Sequence, residues 1–523
     1  MFHVLVSDAI SQDGLKPLIS NDFVKVVQKN VSEVQNLEMY DALLVRSATK
    51  VTEDLIQKMP NLKIIGRAGV GVDNIDVDAA TKHGVVVINA PNGNTISTAE
   101  HTFAMMMALL RHIPQANVTV KSGEWNRSAF IGTELNGKTL GIVGLGRIGS
   151  EIAKRAKVFG MSVLVFDPFL TKDRAKKIGV DSVSLEELLS NADIITVHTP
   201  LTKETKGLLG KENLAKTKKG VYLLNCARGG IIDEDALYES LKQGHVKGVA
   251  LDVFEVEPPV GNKLLDCEQV IVTPHLGAST KEAQLNVAYQ VAEEVMKFLN
   301  GKPVSSSINL PTLSKELYEK IQPFYKLAKK IGSLGSQCMK EPVSSVEIAY
   351  EGSVAELETS FITKSFLSAF LNERVASTVN EVNAGLIASE RGINYSETIK
   401  SNTSGYENCI TITINGEQQS FQVKASYIPH YGERIIEING YDIDFYPTGE
   451  LLYIQHIDQP GVIGRVGNVL GENDVNIATM QVGRKKVGGS AIMMLSVDKP
   501  VEPSLIDQLS TFSDIVSVRT IHL

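Results

Sequence analysis

Residues 140–150 read LGIVGLGRIGS: an apolar run that ends in three glycines, Gly144, Gly146 and Gly149. Three glycines alone describe a tight turn. Their surroundings say more. The run TLGIV (139–143) has the composition of a buried strand, RIGSEIAKRAKVFG has that of a helix, and a second apolar run, SVLVF (162–166), ends at Asp167, 18 residues past Gly149. Strand, glycine turn, helix, strand and acid form the fingerprint of a dinucleotide site. In it Gly144 makes the turn, Gly146 lets the backbone approach a pyrophosphate and Gly149 lets the helix pack on the strand. The N–H groups of Gly146, Arg147 and Ile148 then face the phosphates at the positive end of the helix dipole. Asp167 is placed to accept the ribose hydroxyls. Its charge repels a 2′-phosphate, so NAD is expected rather than NADP.

Outward from this motif, DIITV (193–197), VYLL (221–224), KGVAL (247–251) and QVIVT (269–273) complete six strands with helix-length spacers, a full Rossmann sheet. In front of it lies a second alternating series: HVLVS (3–7), DALLV (41–45), LKIIG (62–66) and VVVI (85–88). A helix over 98–112, capped by Ser97 or Thr98, leaves this series, and a helix over 281–300 returns to it. The expected architecture is α/β: a discontinuous flavodoxin-like substrate domain (1–97 and 282–303) with the Rossmann domain (98–281) inserted, and a cleft between them. KPVSSSINLPTLSKE (302–316) reads as a linker. Beyond it an α+β domain (304–446) contains a hairpin in ITITINGEQQSFQVKA, and residues 447–523 form a ferredoxin-like βαββαβ unit.

Composition sets outer bounds. The 523 residues are 43% hydrophobic and 21% charged, with net charge −8 and a pI near 5.8. That disfavours a general nucleic-acid or anionic-membrane surface. The four cysteines lack ligand spacing, so neither a disulfide framework nor a metal site is expected. MFHVLVSDAIS lacks a basic segment followed by an apolar stretch, and no apolar run spans a bilayer. The expected compartment is the cytoplasm.

Three strand ends carry chemistry: NCARGG after VYLL, DVFEVEPP after KGVAL, and PHLGAST after QVIVT. They bring Arg228, Glu257 with Asp252, and His275 to the carboxyl edge of one sheet, where ligands bind in open α/β folds. His275 suits a general base or acid, because an imidazole titrates near neutrality. Glu257 would fix its tautomer and favour the imidazolium. Arg228 offers a planar fork to a carboxylate and an adjacent carbonyl. Together they suit hydride transfer from a 2-hydroxy acid.

With VRSATKVT, GRAGVGVDNID, PNGNTISTAEHT, GLGRIG, NCARGG, LDVFEVEPP and PHLGAST standing in this order, the chain resembles the D-isomer-specific 2-hydroxyacid dehydrogenases. The resemblance implies an NAD-dependent oxidoreductase with the triad Arg228, Glu257 and His275. It implies NAD contacts at Gly144, Gly146, Arg147, Ile148, Gly149, Asp167, Thr199, Pro200, Cys226, Ala227, Arg228, Asp252, His275, Gly277 and Ala278. For the substrate it implies the backbone around Gly69, Val70 and Gly71, with Arg46, Arg67 and Asn94, and Arg127 reaching over from a partner subunit of a homodimer or homotetramer. The 220 residues after the core resemble the appended domains of a long form whose substrate is 3-phosphoglycerate, in serine biosynthesis. IQHIDQPGVIGRVGNVLGENDVNIA resembles an ACT domain, in which His456, Asp458 and Asn476 match residues that hold L-serine between two copies; Asp458 stands where the serine-inhibited bacterial pattern has Asn. Two alternatives share the core: a hydroxypyruvate or glyoxylate reductase, and a dehydrogenase-like corepressor that senses NAD.

Overall fold

The computed structural model describes residues 1–376, 378–400 and 405–523. The first sheet is wholly parallel, with the strands in the order Val24–Gln28, Phe2–Val6, Ala42–Val45, Ile64–Arg67, Val86–Asn89. This is the flavodoxin-like order. The edge strand Val24–Gln28 is not evident in the sequence, because it is half exposed and carries Lys25 and Gln28 among its valines. The four other strands are buried on both faces and read as continuous apolar runs.

The second sheet is also parallel and has seven strands: Val270–Val272, Val246–Leu251, Val221–Asn225, Ile194–Val197, Thr139–Val143, Ser162–Phe166 and Asp181–Ser182. The last is a two-residue exposed edge beyond the six expected. The sheet order reverses direction at Thr139–Val143, the strand that carries the glycine turn.

Two long helices join the lobes. The first runs Thr95–Leu110, three residues earlier than expected. Asn94 holds its N-cap position, and Ser97, proposed as a cap, is turned instead to Thr280 Oγ1 at 2.7 Å. Phe103, Met105, Met106, Leu109 and Leu110 pack on Leu140, Ile142, Tyr222 and Ala250 of the glycine lobe. Met105 and Met106 are therefore buried within one chain. The second helix, Lys281–Leu299, is capped by Thr280, whose hydroxyl accepts from the Ala283 N–H. It turns Val287, Ala288, Val291, Ala292 and Val295 into the core of the first sheet with Val4, Val6, Leu44 and Ile64. Each buried valine there contributes about 1.5–3 kcal/mol. Gly66 leaves room for Val291: a Cβ at Gly66 would stand 2.5 Å from Val291 Cγ1.

Residues 302–316 are tied down rather than free. Ser307 bridges Ile88, and the Asn309 side chain accepts from the Val87 N–H and donates to the Val85 carbonyl. The helix Lys315–Cys338 follows and packs on a six-stranded mixed sheet, Asn394–Lys400, Val343–Gly352, Asn408–Gly416, Ser420–Ile428, Gly432–Ile438, Tyr441–Phe445. The expected hairpin is its third and fourth strands. The C-terminal unit is an antiparallel sheet in the order Ile477–Arg484, Ser490–Val497, Glu450–Ile457, Ile515–His522, with helices Val462–Glu472 and Pro503–Ser510 on one face. Its other face places Leu451, Tyr453, Ile492, Met494 and Ile521 in one core with the preceding domain. Among the described residues, no helix is long and apolar enough to cross a membrane, and no cluster of potential metal ligands occurs.

Candidate active site

The carboxyl edges of the two parallel sheets face each other across a cavity of about 550 Å³. Gly146, Arg147, Ile148, Thr199, Pro200, Cys226, Ala227, Arg228, Asp252, His275, Gly277 and Ala278 line it from the glycine lobe. Val70, Gly71 and Asn94 line it from the other side.

The glycine turn has the geometry its sequence implies. Gly144 adopts φ +95°, and a Cβ there would lie 2.7 Å from the His198 carbonyl oxygen. A Cβ on Gly149 would collide with the Gly144 carbonyl oxygen, so this glycine sets how closely helix Arg147–Val158 approaches its strand. Gly146 is different: a Cβ there would meet nothing within 4 Å. The open space lies at a helix N-terminus and lines the cavity, which suits a pyrophosphate. Gly144, Gly149 and Asp167 stand behind the lining. Asp167 braces the turn, with Oδ2 accepting from the Leu145 N–H and Oδ1 from the Phe169 N–H, both at 2.8 Å. Each oxygen retains a lone pair for a further donor. Buried atoms without a partner, Thr199 Oγ1 and Asn94 Oδ1, belong to residues lining the same cavity. Such orphans are costly unless a ligand satisfies them. The residues present therefore fit a dinucleotide.

The His275 Nδ1 lies 2.9 Å from Glu257 Oε2, and Glu257 Oε1 accepts from the Phe254 N–H at 3.2 Å. An ionised carboxylate only accepts, so Nδ1 carries the proton and Nε2 is the ring nitrogen left for chemistry. His275 itself sits at φ +55°, a region β-carbon-bearing residues seldom occupy. Arg228 spans the gap between lobes: its Nε donates to Asp73 Oδ2 at 3.2 Å, and its guanidinium packs against Gly71. Asn225, buried under this loop, donates to the Arg228 carbonyl at 2.8 Å and accepts from the Ala227 N–H at 3.0 Å.

Arg67 is largely buried, and its guanidinium is lowered to about 10 by burial, then by Arg228, with Arg46 also contributing. Its Nε has no partner, and Gly69 folds over the group so closely that a Cβ would strike it. Asp8 organises the neighbouring loop by accepting from the N–H groups of Arg46 and Thr49 and from the Thr49 hydroxyl. Arg46, Arg67 and Arg228 gather here with Asp8 and Asp73, whose carboxylates offset part of the charge, and Arg46 and Arg67 stand behind the cavity lining. Arg127 lies on the exposed turn Arg127–Phe130, outside the cavity of its own chain.

Burial and then Asp252 push the Cys226 thiol up to about 12, so it lines the cavity as a neutral group. His198, lowered to about 3 by burial, is likewise neutral; its Nε2 lies 2.8 Å from Thr196 Oγ1 and its Nδ1 has no partner. The sequence reading passed over His198, Asn225, Asp73 and Asp8. His198 stands at the carboxyl end of DIITV, the same signal that marks Arg228 and His275. Asn225 likewise stands at the end of VYLL, and its bonds are local; Asp73 and Asp8 depend on contacts between distant segments.

In the C-terminal unit His456 is buried, with Nε2 unpartnered. The Asp458 carboxyl is held below its ordinary range, foremost by the hydrogen bond from Arg484, whose Nη1 lies 3.0 Å from Oδ2. Asn476 is not beside them. Register pairs His456 with Ala491 but Ile477 with Val497, which puts Asn476 at the far end of the sheet, about 20 Å away at ~3.4 Å per residue. There its amide donates to Asp498 Oδ2.

The chain matches known families in three of its parts. Residues 103–277 match the NAD-binding domain of the D-isomer specific 2-hydroxyacid dehydrogenases, residues 320–439 the D-3-phosphoglycerate dehydrogenase intervening domain, and residues 451–513 the ACT domain. The chain is 69% identical over 524 residues to a D-3-phosphoglycerate dehydrogenase of Bacillus subtilis and 44% identical over 526 residues to one of Methanocaldococcus jannaschii, each alignment covering 100% of both chains. Among solved structures, a D-lactate dehydrogenase from Aquifex aeolicus complexed with NAD and lactic acid is 34% identical and superposes with a TM-score of 0.53, covering 59% of this chain and 100% of that one. The chain belongs to the D-3-phosphoglycerate dehydrogenase family of NAD-dependent 2-hydroxyacid dehydrogenases.

Proposed function

We propose that the cleft oxidises D-3-phosphoglycerate to 3-phosphohydroxypyruvate, the opening step of phosphorylated serine synthesis, with Arg228, Glu257 and His275 as its working side chains. NAD, when bound, supplies the acceptor for the hydrogen that leaves C2 with its electron pair. Gly146, Arg147 and Ile148 would hold the pyrophosphate, Asp167 the ribose, and Thr199, Pro200, Cys226, Ala227, Asp252, Gly277 and Ala278 the remainder. His275 Nε2 takes the hydroxyl proton, while Glu257 fixes the ring at Nδ1 and stabilises the resulting imidazolium. Arg228 grips the substrate carboxylate and the developing carbonyl. The N–H groups around Gly69, Val70 and Gly71 share the carboxylate, with Asn94 at the rim. Arg46 and Arg67 form the cationic corner for the phosphate, and a partner's Arg127 completes it.

The observation that carries this reading is His275, paired with Glu257 at 2.9 Å, lining one cavity with Arg228 and Gly146 of the glycine turn. NADH absorbance with 3-phosphohydroxypyruvate, glyoxylate or no substrate tests it. Rapid oxidation is expected with the phosphorylated acid alone; equal rates with glyoxylate would favour a simple reductase.

A cytoplasmic homodimer or homotetramer fits two features. Arg127 is outside its own cleft, and the surrounding stretch of chain exposes Ile113, Val118, Val120, Trp125 and Ile131. The ACT domain points to small-molecule regulation, and L-serine is the ligand we assign to it. Asp458 would pair with the serine ammonium beside His456, and Asn476 would come from a second copy. A titration at millimolar serine should lower the rate and release or absorb heat. No heat and no change in rate would remove this assignment.

A further inference from the structure

Behind the strand end that carries Asp252 lies a polar cluster in which two side chains never reach the cavity. His101, on helix Thr95–Leu110, has its Nε2 3.1 Å from Thr273 Oγ1 and 3.2 Å from Asp252 Oδ1. The Thr273 hydroxyl donates to the same Oδ1 at 2.5 Å. That oxygen also accepts from the Leu276 N–H at 2.7 Å, and Oδ2 accepts from the Gly277 N–H at 2.8 Å. The Asp252 carbonyl accepts from the His275 N–H at 2.9 Å. Neither His101 nor Thr273 lines the cavity. The backbone of residues 275–277, including His275 at φ +55°, is thus tied to one aspartate.

We infer that His101 is a positioning residue for His275: it anchors Asp252, and Asp252 holds the 275–277 backbone so that the imidazole faces the cleft. The inference rests on the reading of His275 as the proton acceptor. Asp252 is 1% exposed, and a carboxylate at that depth depends on its donors. Burial works to raise its carboxyl, yet the bonds from His101, Thr273, Leu276 and Gly277 hold it below the usual range. Because a carboxylate only accepts, the His101 Nε2 carries a proton, shared between Asp252 and Thr273. Without that donor one side of the carboxylate is open, and rotation about its Cβ–Cγ bond slackens the bonds to Leu276 and Gly277. His101 also belongs to the helix that joins the lobes. One turn earlier on it, Thr98 donates to the Gly277 carbonyl at 3.2 Å, and Ser97 meets Thr280. The same helix therefore secures the catalytic turn from behind and from its end.

The test uses the full-length chain with His101→Leu, His101→Gln and Thr273→Val, measuring 3-phosphoglycerate oxidation and NADH affinity. His101→Leu is expected to lower kcat about tenfold while KM for 3-phosphoglycerate stays within about twofold, as misorientation of the proton acceptor requires, and to weaken NADH by less than kcat falls, through the slackened Asp252–Gly277 contact. His101→Gln should restore most of the loss, since its amide nitrogen reaches the position of Nε2. Thr273→Val should lower kcat similarly, and combining it with His101→Leu should be less than additive. An unchanged kcat in both His101→Leu and Thr273→Val overturns the inference, as does a His101→Gln variant as impaired as His101→Leu. If His101→Leu does not fold, Thr273→Val and His101→Gln decide. The underlying reading fails separately, through a His275→Ala variant that keeps its turnover.

Discussion

Replacing Asp252 by asparagine keeps the shape of a buried side chain and removes an acceptor. In the wild type Oδ1 receives Thr273, Leu276 and His101, and Oδ2 receives Gly277. An asparagine places its carbonyl most favourably at the Oδ1 position, where three donors converge. Its NH₂ then confronts the Gly277 N–H. Two buried donors lose their partners, at about 1–3 kcal/mol each. Release of a buried charge offsets part of this, leaving a loss of about 2–4 kcal/mol. For a lobe of this size that is a fall in Tm of roughly 4–16 °C, readable by far-UV ellipticity. The loss also depends on pH. The Asp252 carboxyl is held low in the fold, so the folded state keeps its charge to lower pH than the unfolded chain. Its contribution is complete above the ordinary carboxylate pKa of about 4 and is lost as pH falls through the lower folded value. Wild type and Asp252→Asn should therefore differ most near neutrality and converge below about pH 4. A Tm within about 1 °C of wild type at pH 7, or a gap that widens in acid, would refute the reasoning.

Two further substitutions probe the dinucleotide site. Gly149→Ala puts a Cβ onto the Gly144 carbonyl oxygen, which must push helix Arg147–Val158 away from its strand. NADH affinity by fluorescence titration should fall at least about tenfold, about 1.4 kcal/mol, and an unaltered Kd would contradict the packing role. Asp167→Ala should weaken NAD and narrow its advantage over NADP, because the repelling charge is gone; an unchanged ratio of kcat/KM for the two cofactors would mean that the acid is misassigned.

Where the signal is a short continuous string, the sequence discloses the site. The turn Gly144–Gly149 and the residues just past Asn225, Leu251 and Val272 all follow apolar runs whose ends can be read directly. The parallel pairing in both lobes follows from the alternation of strands and spacers. What escaped depends on register or on partners far along the chain. Val24–Gln28 pairs at an edge and carries polar residues outward. The Ser97/Thr98 cap failed because Asn94 already starts the helix while Ser97 has a partner 183 positions away. Asp73, Asp8 and His101 carry no local mark at all; each is defined by the loop that folds onto it.

In the proposed reaction His275, held at Nδ1 by Glu257, removes the substrate proton at Nε2. Turnover of His275→Ala, followed at 340 nm with 3-phosphoglycerate and NAD, tests this most directly when NADH binding is measured in the same preparation. General acid–base groups contribute about 10²–10⁴-fold, so kcat should fall by at least about a hundredfold with the NADH Kd nearly unchanged. A variant turning over within a fewfold of wild type, with its cofactor site intact, would contradict the assignment.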